Sequence, residues 1–154
     1  MRRRALLWTI GAVGLSGCIS TVESAVNSDS GHIENREFER FESGTDLFDS
    51  VSEHNPEVTF HPDTSRVEIV GSFCVGSPGR YKAILEKATY HENPDTLIAH
   101  VGSKEVDSTG NLAMAIQAYR ATITFRQELP ASVVAVELGQ CTVESTAVER
   151  STDD

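Results

Sequence analysis

Cysteine, histidine, serine and paired carboxylates are the side chains with which this chain could form a covalent bond, hold a metal or attack a carbonyl. Three cysteines (Cys18, Cys74, Cys141) and five histidines (His32, His54, His61, His91, His100) are available. The histidines follow neither His-x-x-x-His nor any Cys-x-x-Cys spacing, and only loose acid neighbours occur, Asp63 near His61 and Glu92 beside His91. Structural metal sites announce themselves by tight ligand spacing, so the histidines read as surface turn residues, and neither metal nor cofactor is expected. No Gly-x-Ser-x-Gly elbow is present to present a serine nucleophile. Gly71, Gly76 and Gly79 suggest a phosphate cradle, but no helix follows to lend its N-terminal dipole, and a hairpin turn explains them. Glu37/Glu39 and Glu34/Glu37 read as acidic surface rather than a glycosidase pair. No catalytic residue is expected.

The cysteines divide by position. Arg2, Arg3 and Arg4 precede an apolar run from Ala5 to Leu15, and small residues follow at Ser16 and Gly17. That is the layout of an export signal, and the run falls well short of the roughly 20 residues that span a bilayer. The paired arginines suit twin-arginine export. Leu15-Ser16-Gly17-Cys18 resembles the lipobox of exported lipoproteins. The resemblance implies that the Cys18 thiol receives a diacylglyceryl group and becomes the first residue of the mature chain. Two lipid chains would hold a soluble domain firmly, at roughly 0.8 kcal/mol per buried methylene. The alternative is a short uncleaved anchor with an incidental cysteine. With Cys18 assigned to lipid, Cys74 and Cys141 remain, on the oxidising side, as a possible disulfide or as two unpaired thiols.

Removing residues 1–17 takes away three arginines and no acid, so the formal charge of −10 becomes −13. The remaining lysines are Lys82, Lys87 and Lys104. Such a chain lacks the basic patch that nucleic-acid binding requires, and an anionic lipid surface is disfavoured for the same reason.

The elements that would position any site are short and alternating. Residues 19–35 are rich in Ser, Asn and acids and read as a tether; residues 142–154 read as a polar tail. Between them, His61-Pro62-Asp63-Thr64, Ser77-Pro78-Gly79-Arg80, Asn93-Pro94-Asp95 and Leu129-Pro130-Ala131 mark turns. In 117–126 the residues Tyr119, Ala121, Ile123 and Phe125 alternate with Arg120, Thr122, Thr124 and Arg126, one face buried and one wet. The β-branched run 132–138 reads as buried on both sides. Strands are predicted near 36–42, 56–60, 66–75, 80–90, 96–103, 116–127 and 132–138, with a short helix within 45–53 as an alternative to the first. These elements predict an all-β fold, an antiparallel β-sandwich of about seven strands, immunoglobulin-like. The division predicted is signal 1–17, lipidated tether 18–35, sandwich 36–141 and tail 142–154.

The run "VEIVGSFCVGSPGRYKAILEKATYHENPDTLIAHVGS", followed by "YRATITFRQELPASVVAVE", resembles a small β-domain of haloarchaeal lipoproteins of unknown function, over roughly residues 36–138. Its motifs are structural: a strand ending in Gly, a Gly-rich turn, Tyr-x-Ala, "ATY" with an acidic turn, then Tyr-x-Ala-Thr and a Leu-Pro turn. That pattern often carries a cysteine before the first Tyr, where this chain has Arg80, and another where it has Gly110-Asn111-Leu112. A disulfide in that place is absent here. A halophilic origin implies that concentrated salt screens the acidic surface and raises the melting temperature. A weaker similarity, through the Gly-x-Tyr turn, is to small β-domains associated with secreted protease complexes; it transfers no activity.

The function expected is that of a membrane-anchored, extracytoplasmic lipoprotein whose β-domain binds or scaffolds without catalysis. One alternative is an accessory subunit that docks an envelope protease or transporter through the loop 103–114 or a sheet edge. The other is a hydrolase with a site of scattered His and acid residues.

Overall fold

Alternation with period two builds almost every element. The computed structural model describes residues 31–41, 55–77, 79–109, 114–141 and 143–151. The signal, Cys18, most of the tether, the 45–53 helix alternative, His54 and the segment 110–113 lie outside them. Eight strands follow one another: β1 (Ile33–Phe41), β2 (Glu57–His61), β3 (Arg66–Gly76), β4 (Tyr81–Glu92), β5 (Asp95–Glu105), β6 (Ala115–Phe125), β7 (Ser132–Leu138) and β8 (Val143–Glu149). They form two four-stranded sheets, ordered β1-β6-β3-β2 and β4-β5-β7-β8.

The all-β sandwich therefore stands, with three differences from the prediction. First, the polar tail is in part a strand: β8 pairs antiparallel with β7 from Leu138↔Val143 to Ser132↔Glu149. Its short polar residues hide a period of two, because an edge strand with one wet face needs little apolar side chain. Second, β1 begins at Ile33, so the domain takes in the end of the predicted tether; Ile33 is itself a core residue. Third, β5 and β7 run parallel, because the chain crosses to the other sheet as β6 and returns between them. The immunoglobulin-like description holds at the level of two packed sheets, while the strand order is different from the ABED/CFG order of that fold.

The inner faces meet in one core. Val67 and Ile69 of β3, Tyr119 and Ile123 of β6, Leu97 and Val101 of β5 and Val133 of β7 are almost wholly excluded from solvent. Each such aliphatic side chain contributes roughly 1.5–3 kcal/mol by leaving water. Tyr119 is the hub, stacked on Phe38 with centroids 5.5 Å apart and edge-on to Phe73 at 5.9 Å.

One flank is closed by side chains. On β1, Arg36 donates through Nη2 to the Ala88 carbonyl at 3.1 Å, and Arg40 donates to the Ala83 carbonyl at 3.2 Å. From β6, Gln117 Oε1 accepts the Ala83 N–H at 2.7 Å. The outer backbone of β4, which ends its sheet, is thus supplied with partners from the opposite sheet. The Ser77–Arg80 turn forms as its residues demand: Arg80 N–H donates to the Ser77 carbonyl at 3.1 Å, and Gly79 sits at φ 75, where a type II turn needs glycine.

Candidate functional site

The outer face of β1-β6-β3-β2 carries its side chains in rungs set by strand register. Glu39 lies beside Arg120, and Arg120 beside Val70. The next rung holds Glu37, Thr122, Glu68 and Thr59, and the one after it Asn35, Thr124, Arg66 and His61. Of these, Glu37, Glu39, Arg120, Thr122, Glu68, Arg66 and His61, with Thr64 from the Pro62–Thr64 turn, line an open groove of about 430 Å³.

Arg120 is the centre of that groove. Its Nη1 lies 3.4 Å from Glu39 Oε2, its Nε 3.4 Å from Glu68 Oε2, and its guanidinium carbon 5.4 Å from the centroid of the Phe41 ring. The contact to Glu68 is an ion pair without hydrogen-bond alignment, so the Nε–H has no acceptor among the described residues although it is shielded from solvent. The groove therefore offers one unsatisfied donor beside three carboxylates, with Arg66 and His61 at its end. That arrangement suits a polar partner of mixed charge, bringing an acceptor to Arg120 and donors to the glutamates.

A second polar cluster lies between the core and the β8 edge. Tyr119 of β6 donates its hydroxyl to Glu137 Oε1 of β7 at 2.8 Å, and Glu137 is 2% exposed. Glu144 of β8 stands directly across the ladder from Glu137, and its Oε2 is buried without a hydrogen-bond partner among the described residues. Burial pushes the Glu137 carboxyl up to about 7, the Tyr119 hydroxyl opposing and the Glu144 charge adding to the rise. Burial and the neighbouring carboxylate also raise the Tyr119 hydroxyl. Gly71 of β3 makes the room: a Cβ there would collide with Glu137 Oε1 and lie 2.7 Å from the Tyr119 oxygen. Tyr119 and Glu137 are buried in the core, while Glu144 is half-buried beside them at the β8 edge.

The structure disperses most of the residues singled out from the sequence. Cys74 and Cys141 form a disulfide with Cα atoms 5.8 Å apart, tying the end of β3 to the stretch after β7 across 67 residues. Cys18 lies outside the described residues. His61 alone of the described histidines enters the groove; His100 lies in the other sheet, and His32 Nε2 meets Glu92 Oε1 at 2.8 Å near the start of β1. Among the described residues no three His, Cys, Asp or Glu side chains group as metal ligands. Glu37 and Glu39 share the groove wall. The expected loop 103–114 is partly strand, since β5 runs to Glu105, and Arg80 pins its start by pairing with Glu105 at 3.0 Å and accepting the Val106 N–H at 2.7 Å.

Arg120, Glu68 and Glu137 are the residues the sequence reading did not single out. Alternation placed Arg120 outward, but its neighbours come from strand register. Glu137 had one signal, an acid inside a β-branched run. Comparison with protein families, with curated proteins and with solved structures found no match to this chain. The functional reading rests on the residues and their geometry.

Proposed function

We propose that this chain is a lipid-anchored extracytoplasmic protein whose sandwich binds a polar partner through the Arg120 groove and catalyses nothing. The lipobox-like Leu15-Ser16-Gly17-Cys18 supports the anchor, and the twin-arginine leader with the acidic composition supports an origin among haloarchaeal lipoproteins. The groove supports binding. The single observation behind it is the Arg120 Nε–H, which has no acceptor among the described residues in a recess otherwise rich in carboxylate. A donor left unsatisfied and shielded costs about 1–3 kcal/mol, and a ligand that brings an acceptor recovers it.

Metabolic lipid labelling tests the anchor: Cys18→Ser loses the label and leaves the membrane fraction, and equal labelling of both proteins would sink it. Co-purification from membranes in high salt tests the groove, with Arg120→Ala expected to lose a partner that wild type retains.

A second reading is favoured by a different observation. The outer face of β4-β5-β7-β8 carries Ile84, Ile98, Val134, Val136 and Leu138 half-exposed, and Val143 is 69% exposed. An aliphatic face of this kind suits an accessory subunit docked on an envelope protease or transporter. The hydrolase alternative would draw on His61, the one described histidine in the groove, with Glu37, Glu39 and Glu68.

A further inference from the structure

Sheet edges expose unpaired N–H and C=O groups, and proteins blunt them with short strands, prolines, bulges or covering side chains. Three of the four edges here are blunted. β2 has five residues and lies between Pro56 and Pro62. β4 carries an irregularity between Leu85 and Lys87 and receives Arg36, Arg40 and Gln117 on its backbone. β1 carries an irregularity between Ile33 and Asn35 and lies beside β4 through those same arginines. β8 is different. It ends its sheet with seven residues free of proline and lysine, paired to β7 in unbroken register.

The direction of its backbone groups follows from one bond. Arg150 N–H donates to the Ala131 carbonyl at 2.8 Å, on the β7 side. Backbone direction alternates along a strand, so Glu144, Thr146 and Val148 pair inward with β7. Val143, Ser145, Ala147 and Glu149 turn their N–H and C=O groups to the other edge, which no strand covers among the described residues.

We propose that β8 pairs edge to edge with β8 of a second copy of this chain, antiparallel, about a two-fold axis at Thr146. In that register Val143 faces Glu149 of the second copy, Ser145 faces Ala147, and Glu144 faces Val148. The four edge-directed residues meet edge-directed residues, each facing pair exchanging two hydrogen bonds. No glutamate faces a glutamate. Arg150 falls diagonally across from Glu144 of the second copy on the same face, within reach of a long side chain, and Glu144 is the carboxylate with an oxygen lacking a hydrogen-bond partner among the described residues. The two ends of β8 are thus complementary in charge, as an isologous contact requires. The pairing joins the two β4-β5-β7-β8 sheets into one of eight strands. It stands apart from both the anchor and the groove.

Cysteine cross-linking of the full chain in native membranes tests it, in about 1 M salt, where screening to roughly 3 Å suppresses repulsion between acidic copies. Thr146 meets itself at a non-hydrogen-bonded position, where facing Cβ atoms come closest. Thr146→Cys is expected to give a band of doubled mass on a non-reducing gel, and Ser145→Cys at least tenfold less. Adding Ala147→Pro to Thr146→Cys removes an edge-directed N–H while sparing the β7 ladder. It should abolish the doubled band with the thermal melt unchanged. A folded Thr146→Cys protein that stays monomeric would overturn the proposal, as would equal cross-linking at 145 and 146.

Discussion

β6 and β7 both alternate with period two and both line the core, yet they send opposite kinds of residue outward. β6 buries Tyr119, Ala121, Ile123 and Phe125 and turns Arg120, Thr122 and Thr124 to the surface. β7 turns Val134, Val136 and Leu138 outward and buries Glu137 among Val133 and Ala135. The two are linked, because the carboxylate buried by β7 is held by the tyrosine buried by β6. Alternation shows that a strand has two faces. Which face is the core depends on what the opposing sheet supplies, and a buried acid is tolerated only where it finds a hydrogen bond.

Changes that separate the two sheets should have the largest effect. Replacing both Cys74 and Cys141 with Ser removes the bond that ties β3 to the end of β7 across 67 residues, and should lower stability by about 4 kcal/mol in the chain-entropy model. Denaturant melts of oxidised wild type and the double variant, in high salt, measure this.

The buried acid comes next. The Glu137 carboxyl is raised from 4.5 to about 7, so between those values the folded protein keeps a proton that the unfolded chain has released. Stability is full below about pH 4.5 and falls as pH rises through 7, a loss on the order of 3 kcal/mol. Glu137→Gln keeps a partner for the Tyr119 hydroxyl and should flatten that slope; a slope unchanged in the variant would assign the pH dependence elsewhere.

Gly71→Ala tests the cradle, since a methyl group there meets both Glu137 and Tyr119. A cost of about 2 kcal/mol is expected from overpacking, read as a shift in the denaturant midpoint. The outer faces should respond least. Arg120 is half-exposed with both ion pairs at 3.4 Å, so Arg120→Ala should cost less than about 1 kcal/mol. Val136→Thr, on the outer side of β7, should change stability by about 0.5 kcal/mol or less. A larger loss at Val136 than at Gly71 would reverse the assignment of faces.

Much of the framework was legible because its signals are local. The alternation of 117–126 identified β6 and its core face, and the Ser77–Arg80 turn followed from Gly79. The tail was misread because Val143–Glu149 mixes short polar and apolar residues, and its strand state depends on pairing with β7. The groove was illegible in the same way: Glu39, Glu68 and Arg120 are far apart in the chain and meet only when β1, β6 and β3 fall into register.

Composition and short-range pattern by themselves determined the acidic charge and the all-β class, and they are the whole basis of the expected leader ending at Cys18, since charge, hydropathy and alternation are properties of neighbouring residues. Tertiary structure alone decided that β5 and β7 run parallel, that Cys74 lies within bonding distance of Cys141, that Arg120 centres a groove and that Glu137 is buried against Tyr119. Each of these needs strands from distant parts of the chain to take one register, and that choice belongs to the packing of two sheets rather than to any one of them.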